Sequence, residues 1–166
     1  MKRALLICTV CFAGVAAAQL TSNAIVAAGG RPQDWVTYAG QYSAQRFSSL
    51  KQVEAGNVGR LAPQWVFQTG ALGKFEATPL AIDGILYVTG QDNLAFALDA
   101  RTGRPIWKYV RALPEKIQVC CGRVNRGFAA LDDRLFMATL DAHVVALDRR
   151  TGNILWDTKA ADYSKG

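Results

Sequence analysis

The chain has 166 residues, of which 51% are hydrophobic and 19% charged, and its formal net charge is +6. Lys and Arg are scattered among the acidic residues rather than gathered into a stripe, so the basic balance carries no nucleic-acid footprint. A single histidine, His143, and the lack of spaced cysteine pairs beyond the first residues argue against a Cys/His metal centre.

The chain begins with Lys2 and Arg3, an apolar run from Ala4 to Val15, and the small residues Ala16-Ala17-Ala18 ahead of Gln19. That is the layout of a cleaved export signal. The run is short of the about 20 residues that span a bilayer. Residues 1–18 are therefore expected to be removed, taking Cys8 and Cys11 with them, with an uncleaved N-terminal anchor as the alternative. The cysteines left behind, Cys120 and Cys121, would reside in an oxidising compartment where disulfides persist. Bonding to each other and remaining two thiols are the alternatives. As a staple the pair would be poor, since a bridge between neighbours closes no long loop.

Residues 19–34 are small and polar, with Gly29-Gly30-Arg31-Pro32 as punctuation, and are expected to form a loose mature N-terminus. From Trp35 onward short strands and turns are expected, with one helical turn at Asn57-Val58-Gly59-Arg60-Leu61. Trp65 is placed in a strand.

An internal repeat organises the rest. Ile82-Asp83-Gly84-Ile85-Leu86-Tyr87-Val88 recurs as Leu131-Asp132-Asp133-Arg134-Leu135-Phe136-Met137. The segment from Ala97 to Trp107 recurs from Ala146 to Trp156. The offset is constant at 49 residues, from Asp99 to Asp148 and from Trp107 to Trp156. A β-rich period of this length marks a propeller or array. In each unit a strand such as Leu86–Thr89 leads through a turn at Asp92-Asn93 to a second strand, Leu94–Leu98. Asp99 to Gly103 then makes a turn in which Asp accepts backbone hydrogen bonds and Gly supplies positive φ. Repetition in register gives Trp65, Trp107 and Trp156 a role in packing one unit on the next. Asp99 and Asp148 read as structural, and His143 as a strand residue without a function. Two units cannot close a propeller of 4–8 blades, so a fragment of a larger protein is expected.

Four stretches resemble the pyrroloquinoline quinone (PQQ)-dependent alcohol dehydrogenases. They are Trp35 through Leu50 and on to Trp65; Phe75-Glu76-Ala77-Thr78-Pro79-Leu80 with Asp83-Gly84-Ile85-Leu86-Tyr87; Cys120-Cys121 with Val124-Asn125-Arg126-Gly127; and the paired Trp turns. The resemblance implies an all-β fold: residues 35–166 would form the first blades of a β-propeller built from four-stranded antiparallel sheets, eight-bladed when intact. It also implies cofactor roles. Cys120 and Cys121 resemble the vicinal disulfide that lies against one face of PQQ. Arg126 resembles the arginine that pairs with PQQ, where a planar fork suits a carboxylated quinone. Glu76 resembles the glutamate at the cofactor's edge. Taken singly, Glu76 would pass for a solvated turn residue and Arg126 for a surface cation.

The intact protein is thus expected to be a periplasmic enzyme oxidising primary alcohols to aldehydes and passing electrons to a cytochrome c. Its calcium or lanthanide ligands and its catalytic base are expected beyond Gly166, leaving this stretch with no catalytic or metal residue of its own. The rival is a non-enzymatic propeller scaffold for periplasmic or outer-membrane assembly, which would need neither Cys120-Cys121 nor Arg126. A membrane-bound sugar dehydrogenase shares the repeats but typically lacks the adjacent cysteines. This chain departs from the family pattern at Ser49, usually Pro, and at Gln91, usually aromatic.

Overall fold

A computed structural model describes residues 19–165; the expected export signal lies outside these. Two antiparallel sheets of four strands each carry the fold, with their strands in sequence order. The first comprises β1 (Leu80–Ile82), β2 (Ile85–Thr89), β3 (Ala95–Asp99) and β4 (Pro105–Tyr109). The second comprises β5 (Ala129–Leu131), β6 (Arg134–Ala138), β7 (His143–Asp148) and β8 (Ile154–Lys159). These are the two repeat units found in the sequence, and the fold class is that of propeller blades.

Local chemistry dictates the meander. β1 and β2 pair Ile82 with Ile85 across the two-residue loop Asp83-Gly84, where φ is 52° and 77°. Asp-Gly with both residues left-handed is the hairpin turn whose twist matches the flanking strands. At the other repeat landmark, Asp99 Oδ1 accepts from Arg101 N, Thr102 N and Thr102 Oγ1 at 3.1, 2.8 and 2.7 Å. Asp148 does the same with Arg150 and Thr151 at 3.0, 2.8 and 3.0 Å. Both aspartates are structural, as their place in the repeat implied.

The tryptophans join one sheet to the next. Trp107 on β4 donates from Nε1 to Arg149 O at 3.0 Å, and its ring covers Gly152 so closely that a Cβ there would fall 2.7 Å from it. Trp65 repeats this on the first sheet, donating to Ala100 O at 3.1 Å and covering Gly103. Its predicted strand, however, does not form. Residues 61–69 run outside any described sheet, because a strand needs a hydrogen-bonding neighbour and none of the described residues supplies one. The indole docks all the same.

A second correction concerns residues 19–34, which are not loose. Thr21 caps a short helix, α1 (Ser22–Val26), by accepting from Ala24 N at 3.2 Å. Leu20, Ile25, Ala28 and Val36 enter the same core as Leu80, Tyr87, Trp107, Leu135 and Leu147. Leu20 bridges Asp132, and Trp35 bridges Ala81 on the edge of β1. Arg31 fastens the segment by pairing with Asp34 at 2.6 Å and Asp83 at 2.8 Å. Polar composition concealed three well-spaced apolar anchors, Leu20, Ile25 and Ala28, with Val36 just beyond the segment. The expected helical turn at Asn57–Leu61 forms as a tight turn at Val58–Arg60.

Charge pairs link the sheets at two places. Arg149, 2% exposed, reaches Asp83 of the first sheet at 3.2 Å and Asp133 of the second at 3.8 Å; a buried guanidinium is tolerable only with such partners. Arg111, just after β4, forks onto Asp141 through Nε at 2.8 Å and Nη2 at 2.7 Å and reaches Asp157 at 2.6 Å. His143, given no function from the sequence, contacts Asp157 at 2.6 Å.

The Arg111 cluster makes stability depend on pH. Burial would raise the Asp141 pKa, but hydrogen bonds from Arg111 and Thr139 outweigh it and hold the group below its ordinary 3.8. The Arg111 hydrogen bond, with His143 assisting, lowers Asp157 in the same way. Carboxylates with depressed folded-state pKa values stabilise fully above their unfolded value, and that stability is lost as pH falls through the folded value. Asp141→Asn should therefore lower the urea midpoint at pH 7, with the gap to wild type closing below pH 3.8. A gap that persists undiminished in acid would show that the Arg111 pairing is not its source.

Candidate functional site

The connection from β4 to β5, residues 110–128, carries Cys120, Cys121 and Arg126. Both cysteines are exposed, with Cα atoms 3.8 Å apart and their sulfur atoms brought together. Cys121 and Gly122 are successively left-handed, φ 67° and 97°, so the chain reverses there and presents the pair outward. A shallow recess beside it is lined by Gly73, Lys74, Gln91, Gly122, Arg123 and Val124. Gln91, the departure from the family pattern, turns its amide onto Asp92 Oδ2 at 3.1 Å and covers Gly73. Ser49 lies elsewhere, in a recess with Trp35 and Gln41.

Glu76 and Arg126, 50 positions apart in the sequence, meet in the structure: Arg126 Nη1 lies 3.1 Å from Glu76 Oε2. Gly127 explains how. With φ at 127° it sits where a Cβ would fall 3.1 Å from Thr78 O, so the connection packs directly on the segment leading from Glu76 into β1. The Arg126 side chain is 67% exposed and the Glu76 side chain 35%. A guanidinium carries five N–H donors, and the contact with Glu76 uses one nitrogen while orienting the rest.

Sequence reasoning named the two ends of this loop but not what holds it. Asn125 is 5% exposed; its Nδ2 donates to Ala138 O at 2.8 Å and Asn93 Oδ1 at 3.3 Å, and its Oδ1 accepts from Gly127 N at 3.1 Å. Arg123 pairs with Asp92, whose N–H donates to Arg123 O at 2.9 Å. The signal was present: Asn125 stands within the Val-Asn-Arg-Gly run, and an Asn side chain commonly bonds the backbone two residues on.

Residues 35–157 match the family described as glucose/ethanol/alcohol dehydrogenase, β-propeller domain. The chain belongs to that PQQ family. Among its relatives, the quinoprotein ethanol dehydrogenase of Pseudomonas aeruginosa is 44% identical over 80% of this chain and 22% of its own length. The quinoprotein alcohol dehydrogenase PedH of Pseudomonas putida is 38% identical over 93% of this chain and 26% of its own. Among solved structures, a europium-containing methanol dehydrogenase superposes with a TM-score of 0.79 at 35% identity, covering 85% of this chain and 25% of that one. A quinohemoprotein alcohol dehydrogenase from Pseudomonas putida HK5 superposes with a TM-score of 0.81, also at 35% identity, over 87% of this chain and 22% of that one. The chain thus spans about a quarter of the length of the relatives it matches.

Within the family the site's donor set suits a planar, polycarboxylated quinone. An exposed guanidinium stands braced on a carboxylate, and an outward-facing pair of sulfurs offers a flat polarisable surface. Among the described residues no group of three or more His, Cys, Asp or Glu could hold a metal ion.

Proposed function

We propose that this chain is the N-terminal part of an exported, PQQ-dependent dehydrogenase that oxidises primary alcohols to aldehydes. The observation that carries the reading is the ion pair between Glu76 and Arg126, the latter on the loop that also presents Cys120 and Cys121. Names of relatives agree with it, since they are quinoprotein ethanol, alcohol and 1-butanol dehydrogenases.

Each residue has a distinct task. Cys120 and Cys121, joined as a vicinal disulfide, would offer one stacking face for the cofactor and keep water from it. Arg126 would bind and orient the quinone through charge-assisted hydrogen bonds, the strong kind. Glu76 holds Arg126 in place and supplies a polar edge contact. When bound, PQQ would supply the acceptor for the alcohol's hydride, and a calcium or lanthanide ion a Lewis acid. The ion's ligands and the proton-accepting base are assigned to other parts of the full-length protein. Electrons would leave to a cytochrome c in the periplasm, after the export signal is cleaved before Gln19.

The test is reconstitution of the full-length protein with PQQ and either calcium or a lanthanide. Dye reduction should then depend on a primary alcohol, and the exported form should begin at Gln19 by mass spectrometry. A protein that takes up no PQQ with either metal would overturn the assignment and favour a propeller scaffold.

A further inference from the structure

The loop that carries Cys120, Cys121 and Arg126 is held by repeat-equivalent residues of both sheets. Asp92 and Asp141 occupy the same repeat position, each in the turn between the second and third strands of its sheet. Asp141, from the second sheet, grips Arg111 near the start of the loop, and Asp92, from the first, grips Arg123 near its end. The loop is thus tied crosswise, each end to a different sheet.

Asn125 closes the arrangement. Its carboxamide is buried, and all of its contacts run to backbone or to another buried amide: Ala138 O at the end of β6, Asn93 Oδ1 in the first sheet's turn, and Gly127 N in its own loop. Asn93 is fully buried and its Oδ1 also accepts from Leu140 N at 3.1 Å, so one amide pair connects both sheets and the loop. Arg126 is the next residue after Asn125, and the Asn125-to-Gly127 bond spans it. Its backbone is therefore set from both sides while its side chain stays 67% exposed.

We propose that Asn125, seated on Asn93, is the positioning residue that aims Arg126 and the Cys120–Cys121 pair at the cofactor. This inference rests on the PQQ reading for the identity of the ligand. Its core, that Asn125 locks the loop in the cofactor-free protein, does not. Asn125 touches neither cofactor nor substrate and acts through Arg126 and the cysteine pair.

The experiment compares wild type, Asn125→Ala and Asn125→Asp in the full-length protein, with Ile25→Ala as a control that truncates a buried core side chain on α1, outside the loop's hydrogen bonds. In the cofactor-free protein, hydrogen–deuterium exchange should show protection lost over residues 119–128 in Asn125→Ala but not in Ile25→Ala. Asn125→Asp keeps the acceptor for Gly127 N but sets a buried carboxylate against the acceptors Ala138 O and Asn93 Oδ1, so it should lose at least as much protection as Asn125→Ala. In fluorescence titrations with PQQ, Asn125→Ala should bind about tenfold more weakly, as expected when a buried polar contact is broken. The absorption band of bound PQQ should shift with it. Loop protection in Asn125→Ala equal to wild type overturns the positioning role, and so does equal loss in Ile25→Ala. A wild-type protein that binds no PQQ overturns the functional reading instead, and the exchange result still decides whether Asn125 locks the loop.

Discussion

Trp107→Ala is expected to remove about 3–5 kcal/mol of stability, the range for deleting a large buried aromatic. Trp107 is 8% exposed, lies 6.1 Å from the Tyr87 ring, covers Gly152 and donates to Arg149 O. The substitution empties space between two sheets and strands a carbonyl. Trp107→Phe separates these effects. It keeps most of the ring and loses the N–H donor, so it should cost about 1 kcal/mol for the hydrogen bond plus a smaller packing loss. Urea or guanidinium midpoints at pH 7 measure both. If alanine costs no more than phenylalanine, the ring on Gly152 is not what joins the sheets. Buried Arg149, whose carbonyl takes the indole N–H and whose guanidinium pairs with Asp83 and Asp133, reinforces the same junction, so mutations at the two positions should not be additive.

Arg126→Ala is expected to weaken PQQ binding by about 10–100-fold, the equivalent of roughly 1.5–3 kcal/mol for hydrogen bonds to a charged group. The effect should fall on affinity with little change in stability, because the side chain is 67% exposed and its one ion pair is solvent-screened. Arg126→Lys should recover only part of the loss. Lysine restores the charge but not the planar fork that meets a carboxylate with two parallel bonds. Fluorescence titration of the full-length protein with PQQ reads all three proteins. Equal affinity in wild type and Arg126→Ala would remove Arg126 from the site.

Much of the candidate site is legible in the chain because its parts are chemically unusual. Adjacent cysteines followed by Val-Asn-Arg-Gly have few alternative uses, and the repeat placed them between two blades. Glu76 was harder, since nothing local separates it from any solvated glutamate. Only the approach of Gly127 to Thr78 brings its carboxylate to Arg126. The buried anchors were harder still. Asn93 and Asn125 are ordinary turn residues by composition, and their pairing crosses from one sheet to the other. Arg149 stands in the turn that follows Asp148, where nothing local marks it, yet it is buried between Asp83 and Asp133.

The residues 19–34 teach the opposite lesson. Small and polar composition argued for looseness, but Leu20, Ile25 and Ala28 bury themselves and Arg31 binds two carboxylates. Composition averages over a segment, while docking depends on a few well-placed side chains. Trp65 shows the converse, for its strand was expected from pattern alone and pattern cannot provide a pairing partner.

By itself the sequence determined what recurs locally: the β period, the Asp-to-Gly turns, the in-register tryptophans and the cysteine pair. These depend on backbone propensity and short-range hydrogen bonding, which neighbouring residues encode. Only the tertiary structure decided which distant groups meet, namely Glu76 with Arg126, Asn93 with Asn125, Arg149 with its two aspartates, and the N-terminal segment with the core. Such contacts arise when whole sheets pack against each other, so their specificity resides in the packing of both partners and in neither stretch alone.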